Sequence, residues 1–248
     1  MSKVVLITGA SRGIGAATAL ASARAGFDVA INYTRDEAAA QQVAGQVRDT
    51  GRNAMVIQAD VGAEDEVVRM FQAVDAELGV LSGLVNNTGI LFQQMRLDQM
   101  EATRIQRVLA VNVTVAFVCA REAVRRMSTR HGGSGGSIVN VSSVASRIGG
   151  PNEYIDYAAS KGAMDSMTLG LAKEVGAEGI RVNAVRPGII DTQIHASGGE
   201  PGRAARVAPS IPIPRPGTPE EVASSIVWLL GDEAGYVSGA LLDVAGGR

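Results

Sequence analysis

The chain has 248 residues, 46% of them hydrophobic, with 23 Lys and Arg against 25 Asp and Glu, one cysteine and two histidines. That length suits one large domain or two small ones with a core that needs no covalent staple; the single cysteine permits no internal disulfide and, with His131 and His195 far apart in sequence, no cluster of soft metal ligands. A net charge of −2 with both signs interspersed offers no basic field for nucleic acid.

Val4-Val5-Leu6-Ile7 is a β-branched run ending in Thr8-Gly9, as expected of a strand buried on both faces that feeds a tight turn. No signal peptide is expected from so short an apolar run. Residues 13–25 are mostly Ala, Ile, Leu and Ser and stop at Gly26, which predicts a helix, and 28–33 reads as a second strand. Helices over 36–50 and 63–78 then alternate with strands over 53–58 and 83–86. A long helix is predicted over 101–130; its most apolar part, 108–120, carries Asn112 and Thr114 and is shorter than the roughly 18 apolar residues of a membrane span. The glycines of 132–136 predict a flexible turn into a strand over 137–142. A helix over 154–178, a strand over 181–185, a helix over 219–230 and a strand over 240–244 complete the series. This rhythm predicts an α/β fold: a single-domain, Rossmann-type, doubly wound parallel β-sheet with helices on both faces, with no boundary inside 1–248. Residues 187–217, rich in Pro, Gly and small side chains, lack periodicity and are expected to form a lid over a site. The cytoplasm is the expected compartment, and neither nucleic acid nor membrane is an expected partner.

Thr8-Gly9-Ala10-Ser11-Arg12-Gly13-Ile14-Gly15 stands between the first strand and the first helix, where a dinucleotide fold places its pyrophosphate loop. Glycine lets the backbone approach the pyrophosphate, and free helix N–H groups meet its charge. Gly9, Ser11, Arg12, Gly13, Ile14 and Gly15 are therefore candidate contacts. An NAD site places a carboxylate at the tip of the second strand, where it accepts the ribose hydroxyls and repels a 2′-phosphate. Here the tip reads Asn32-Tyr33-Thr34-Arg35. Tyr33 joins the candidates, and Arg12 and Arg35 are suited to a 2′-phosphate, so NADP(H) is expected in preference to NAD(H). The alternative is a solvated Arg35, with Asp36 or Glu37 on the ribose. Asp60 and Val61, at the tip of the third strand, fit an adenine-edge contact, with a helix N-cap the alternative for Asp60.

Tyr157-Ala158-Ala159-Ser160-Lys161 puts a phenol and an ammonium on one helix face, with Cβ atoms about 5–6 Å apart. At that separation the ammonium favours phenolate by roughly 2–3 kcal/mol, or about two pKa units, which predicts a tyrosine lowered toward use as a general acid/base. An ordinary surface pair is the alternative.

These segments, with Asn86-Asn87-Thr88-Gly89, Asn112, Ser142-Ser143, Asn183 and Pro187-Gly188 followed by Thr192, stand in an order that resembles the short-chain dehydrogenase/reductases over essentially the whole chain. The likeness is to the branch of 3-oxoacyl-acyl-carrier-protein reductases and glucose-dehydrogenase-like enzymes in particular. It implies an NADP(H)-dependent oxidoreductase that interconverts a small-molecule carbonyl and a secondary alcohol by hydride transfer. Tyr157 would be the general acid/base, Lys161 would hold the nicotinamide ribose and lower the tyrosine pKa, and Ser143 would steady the substrate oxygen, with Ser142 its rival. Asn112 would anchor a water serving Lys161. Asn86 and Gly89 would contact the adenosine part, while Pro187, Gly188, Ile189 and Thr192 would line the carboxamide; no metal is implied. The sequence departs from the family pattern at Thr88, where Ala is usual, at Ala245, where an acid is usual, and in a Ser143–Tyr157 separation one residue longer than common. The resemblance implies a homotetramer or homodimer packed through its long helices. Arg121, Arg125, Arg126 and Arg130 recur at helical offsets, either as a docking stripe for acyl carrier protein or as a solvated face. Cys119 reads as a buried small hydrophobe, and His195 as a lid residue at the substrate or at the surface. A catalytically silent NADP(H)-sensing regulator and a carrier-protein-binding partner are further uses of the same fold; the intact Ser143, Tyr157 and Lys161 favour an enzyme.

Overall fold

The computed structural model describes residues 3–248. In chain order the elements are β1 (Lys3–Ile7), α1 (Gly13–Arg24), β2 (Phe27–Tyr33), α2 (Glu37–Arg48), β3 (Ala54–Gln58), α3 (Glu64–Glu77), β4 (Leu81–Asn86), α4 (Ala102–Leu109) and α5 (Val115–Met127). There follow β5 (Gly136–Val141), α6 (Ala145–Ile148), α7 (Ile155–Val175), β6 (Ile180–Pro187), α8 (Ile194–Ser197), α9 (Arg203–Val207), α10 (Pro219–Leu230) and β7 (Leu241–Val244). The strands form one parallel sheet in the order β3-β2-β1-β4-β5-β6-β7. The order reverses between β1 and β4, and at such a switch point the chain leaves a crevice beyond the carboxyl ends of the strands.

Strand periodicity divides the core. Val4 and Leu6 of β1 face a layer with Phe71 and Met70 of α3, Cys119 of α5 and Met164 of α7. Val5 and Ile7 face the opposite layer, with Ala19 of α1, Val43 of α2 and Ile226 of α10. Both faces of the sheet are thus covered by apolar helix stripes, which is why β1 reads as an apolar run over Val4–Ile7 and β2 as a mainly apolar one interrupted by the buried Asp28 and Asn32.

Three segments differ from expectation. The predicted long helix is split by a wide turn, Ala110–Thr114, with π-type hydrogen bonding, which presents Asn112 from the middle of the run. The glycines of 132–136 do not form a flexible turn throughout: a Cβ on Gly133 would lie 2.3 Å from the Arg126 carbonyl, one on Gly135 2.5 Å from the Gly179 carbonyl and one on Gly136 2.4 Å from the Met127 sulfur, so close packing requires these three, while Gly132 has open space around it. The segment after β6 carries α8 and α9, and its ends are tied where Gly217 N donates to the Ile189 carbonyl and Asp191 N to the Gly217 carbonyl, both at 2.9 Å. Helices of four and five residues are too short to leave a period in sequence. Among the described residues no helix is long and apolar enough to cross a membrane.

Candidate active site

A cleft of about 590 Å³ opens at the switch point. Its floor is the glycine loop, where Gly9 and Gly13 adopt φ of +62° and +55°. Gly15 lies beneath, and a Cβ there would stand 2.5 Å from the Gly9 carbonyl and 2.6 Å from Asn87 Nδ2. The loop is pinned from both sides. Asn32 Oδ1 accepts from Gly9 N at 3.2 Å, Asn87 Nδ2 donates to the carbonyls of Thr8 and Gly9 at 2.9 and 3.0 Å, and Thr8 Oγ1 accepts from Asn87 N and Thr88 N at 3.0 Å each. Helix α1 starts here with no side-chain cap and no acidic residue in its first turn, so its N–H groups and positive dipole end are open to an anion. This cradle fits the pyrophosphate of a dinucleotide.

At one end the wall comprises Tyr33, Thr34, Arg35, Asp36, Asp60 and Val61. Asp36 caps α2 by accepting from Ala39 N at 3.0 Å. Glu37 lies against the Tyr33 hydroxyl, which burial and then that carboxylate push upward. Both acids offered as alternative ribose ligands are therefore engaged locally. Asp60 accepts from Gly62 N at 2.9 Å, and Ala63, not Asp60, occupies the N-cap of α3. Arg12, Arg35 and Arg107 line the cleft without a carboxylate partner among the described residues, and Arg12 Nη1 donates to Gln193 Oε1 at 3.1 Å. Arg107 carries no motif; only the path of α4 across the cleft brings it in.

At the other end stand Gly89, Ser143, Tyr157, Lys161, Pro187, Gly188 and Thr192. Lys161 Nζ lies 5.5 Å from the Tyr157 ring centroid, is almost fully buried, and donates to the Val141 carbonyl at 2.7 Å. Burial brings the ammonium down to about 8, with Asp165 opposing. Burial also pushes Tyr157 up to about 12, with the Ser143 hydroxyl partly opposing. This reverses the lowering expected from helical spacing: desolvation of the phenolate outweighs any attraction from an ammonium held by a backbone carbonyl. Ser142 is buried with its hydroxyl against Asp165, so of the two serines Ser143 presents its hydroxyl to the phenol.

Four candidates do not form the cleft wall. Besides Gly15, Asn86 is buried in the sheet and donates to Asn140 Oδ1 at 2.9 Å; this commits its amide to the core rather than to an adenosine contact. Ile189 packs with Ala204, Val207 and Ile211 in a separate apolar cluster. Asn112 is buried behind the wall, accepting from Ile90 N at 2.8 Å and donating to the Ile90 carbonyl and Ser160 Oγ at 2.9 and 3.0 Å. It remains adjacent to the site, because a Cβ on Gly89 would lie 3.4 Å from Lys161 Nζ and 3.6 Å from Asn112 Oδ1. Ala245 packs on Gly188, whose Cβ would meet Ala245 Cα at 2.8 Å. His195 proves buried and lines the cleft.

The arginine stripe is matched by carboxylates: Arg121 pairs with Glu64 and Glu122, Arg125 with Glu122, and Arg126 with Glu122 and Asp75. It is an ion-pair network rather than a free cationic face. Cys119 is buried, and burial pushes its thiol up to about 12. No cluster of three or more His, Cys, Asp or Glu side chains that would hold a metal occurs among the described residues.

Comparison with known proteins places the chain among oxidoreductases. A family described as enoyl-(acyl carrier protein) reductase matches residues 9–248. An uncharacterized oxidoreductase of Escherichia coli K12, YgfF, is 57% identical over 245 residues, 99% of each chain. A 3-oxoacyl-[acyl-carrier-protein] reductase of Synechocystis is 37% identical over 251 residues, covering 99% of this chain and 96% of the relative. Among solved structures, acetoin dehydrogenase YohF of Salmonella typhimurium superposes with a TM-score of 0.87 at 36% identity over 100% of this chain and 97% of its own. A short-chain dehydrogenase of Burkholderia cenocepacia in complex with NADP gives 0.89 at 35% identity over 99% and 97%.

Proposed function

The chain belongs to the short-chain dehydrogenase/reductase family, and from that membership we propose that it is an NADP(H)-dependent enzyme interconverting a small uncharged carbonyl compound and its secondary alcohol. One observation carries the reading: Ser143, Tyr157 and Lys161 meet on the wall of a cleft whose other end holds the glycine loop and Arg12 and Arg35, neither of which has a carboxylate partner among the described residues.

The nicotinamide cofactor supplies or accepts the hydride. The protein supplies position and protons. Ser143 Oγ holds the substrate oxygen and steadies charge developing on it. Tyr157, held protonated by its surroundings, delivers its phenolic proton to that oxygen in reduction and withdraws the hydroxyl proton in oxidation. Lys161 is the buried cation beside it and would hold the nicotinamide ribose, and Asn112 fixes the backbone of Ile90 and the Ser160 hydroxyl around Lys161. Arg12 and Arg35 would hold the 2′-phosphate of NADP(H), with Tyr33 toward its ribose and Asp60 and Val61 toward its adenine, all of them lining the cleft.

The segment 187–217 acts as the lid of a single-domain enzyme. Apolar Leu91, Ile190 and Ile194 line the cleft near it, and the adjacent cations Arg104, Arg203 and Arg206 are paired with Asp156, Glu153 and Glu200, which favours an uncharged substrate. The printed substrate of the Salmonella relative, acetoin, is of that size and charge. Exposed Phe117 on α5 and Leu169 on α7 support a homotetramer or homodimer, and the cytoplasm is the proposed compartment.

The test is oxidation of NADPH and NADH, followed by absorbance, against ketones, diketones, aldehydes, 3-oxoacyl thioesters and sugars, with Tyr157→Phe as the blank. NADPH consumption that vanishes in the variant supports the reading. Tight NADPH binding without turnover of any compound points to a cofactor-sensing protein instead.

A further inference from the structure

We propose that Asp165 is a positioning residue of the site: its carboxylate, held between Ser142 and Arg186, is the counter-charge that keeps the buried Lys161 ammonium charged. This rests on the oxidoreductase reading above, in which that ammonium holds the cofactor ribose beside Tyr157.

Lys161 and Asp165 are four residues apart on α7, so their Cβ atoms stand about 5–6 Å apart on one helix face. Both side chains grip the end of β5. Lys161 Nζ donates to the Val141 carbonyl at 2.7 Å, while Ser142 Oγ donates to Asp165 Oδ1 at 2.6 Å and lies 3.1 Å from the Lys161 carbonyl. Asp165 is held from the other side by β6, where Arg186 Nη1 lies 3.4 Å from its Oδ2, each side chain being 13% exposed. Arg186 Nε donates in turn to Asp243 Oδ1 of β7 at 2.5 Å, and Asp243 pairs with Arg147 of α6. Four alternating charges therefore run from α7 through β6 and β7 to α6. They bracket Ser143: one end holds Ser142, and the other holds the helix whose Ala145 N donates to Ser143 Oγ.

The groups around Lys161 leave Asp165 as the anion that acts on it. On α7 the Tyr157 phenol is kept neutral by burial, and Asp156 is committed to Arg104. The chain after β4 presents Gly89 and the wide turn before α5 presents Asn112, both uncharged, and β5 presents a carbonyl and the Ser142 hydroxyl. The charge on β6 is Arg186, a cation that fixes Asp165 and offsets part of its field. Burial brings the ammonium down to about 8, and Asp165 opposes that fall. A desolvated cation that loses such a counter-charge gives up its proton at lower pH.

The chain has three lysines, Lys3, Lys161 and Lys173, so lysine isotopically labelled at Cε gives an NMR titration in which Lys161→Met identifies the Lys161 signal. Asp165→Asn keeps the shape and can still accept from Ser142. It is expected to lower the Lys161 midpoint by about one pH unit, the effect of a unit charge at that spacing partly offset by Arg186, and to leave Lys3 and Lys173 unmoved. Arg186→Gln removes the offsetting cation and raises the midpoint. Asp165→Glu stays nearer wild type than Asp165→Asn, and Ser142→Ala, which removes the hydrogen bond and keeps the charge, leaves the midpoint in place. The basic limb of kcat/KM with NADPH moves in the same direction as the midpoint in each variant. A midpoint unmoved in Asp165→Asn overturns the proposal, as does an equal shift in Ser142→Ala or a kinetic limb that stays fixed while the midpoint moves. If Asp165→Asn does not fold, an Arg186→Gln midpoint at or below that of wild type overturns it. Midpoints that move as expected, with no compound turned over, leave the Asp165–Lys161 coupling standing and remove the oxidoreductase reading.

Discussion

Ser142 and Ser143 are adjacent, yet their hydroxyls serve different parts of the molecule: Ser142 Oγ lies 2.6 Å from Asp165 Oδ1 in the core, while Ser143 Oγ accepts from Ala145 N at 3.1 Å and reaches the Tyr157 phenol. The expected consequence is a split of effects. Ser143→Ala lowers kcat by about 10²–10³-fold, as for loss of an oxyanion donor, and costs at most about 1 kcal/mol of stability for the bond lost from Ala145 N. Ser142→Ala removes a buried hydrogen bond, costs ~1–2 kcal/mol in urea unfolding and changes kcat less than about tenfold. The opposite pattern would make Ser142 the substrate contact.

Among the described residues Arg35 and Arg12 have no carboxylate partner to release before they meet a phosphate. Charge-assisted bonds contribute roughly 1.5–3 kcal/mol, so Arg35→Ala is expected to weaken NADPH about 10–100-fold and NADH hardly at all. Fluorescence titration of both reduced cofactors checks this. Equal loss for the two would place Arg35 on a group they share.

Thr88 stands where an alanine is usual in the family, and the structure shows how little the hydroxyl contributes to stability. Its Oγ1 is buried without a partner and would lie 3.0 Å from a Cβ on Gly9. Thr88→Ala removes an unsatisfied polar atom at the cost of one methyl, and the two changes oppose each other. Unfolding free energy is expected to stay within about 1 kcal/mol of wild type; a loss of several kcal/mol would reveal a partner for the hydroxyl.

What was legible in the sequence follows from how local each signal is. The first strand, the glycine loop and α1 were readable within a residue, because a doubly buried β-branched run, a turn and a capless helix start leave signatures in consecutive positions. Tyr157 and Lys161 were readable for the same reason, through helical spacing. Arg107 was not, since it reaches the cleft through the packing of α4 on α7 and lies beside Gly62, a residue distant in sequence. The wide turn at Asn112 has no composition of its own, and α8 and α9 are shorter than any usable period. The direction of the Tyr157 shift was also illegible: spacing reports the distance to an ammonium, whereas desolvation depends on atoms brought in by β5, β6 and the lid.

Lys161 gives a pH dependence with a definite sign. Its folded pKa, near 8, lies below the ordinary lysine value of 10.5, so the cation is lost as pH rises through about 8. If the charged form holds the cofactor ribose and assists Tyr157, kcat/KM for reduction falls about tenfold per pH unit above that value. The limb disappears in Lys161→Met, whose activity is low and flat. Stability runs the other way. The cost of burying the cation is fully present below pH 8 and is relieved between 8 and 10.5, so Lys161→Met is expected to be more stable than wild type at pH 7, by up to ~3 kcal/mol, and to lose that advantage by pH 10.5. Melting curves at pH 7 and 10 decide; a variant less stable at pH 7 would mean that the bond to the Val141 carbonyl outweighs desolvation.

The turn before Tyr157 is held by a buried ion pair. Arg104 Nε donates to Asp156 Oδ2 at 2.8 Å, the Asp156 side chain is 2% exposed, and Asp156 Oδ1 accepts from Tyr157 N at 2.9 Å. Arg104 also donates to the Gln93 carbonyl at 2.7 Å, which ties α4, the loop after β4 and the start of α7 together. Removing one partner leaves the other charge buried. Arg104→Met is therefore expected to cost ~3–5 kcal/mol, while Arg104→Met with Asp156→Leu recovers much of that loss. Because Asp156 fixes the backbone on which the phenol is mounted, the double variant should still show reduced kcat with KM for NADPH near wild type, since the glycine loop and arginines are untouched. Urea unfolding with steady-state kinetics separates the two effects. Full recovery of both stability and kcat in the double variant would show that packing alone, and not the carboxylate, positions Tyr157.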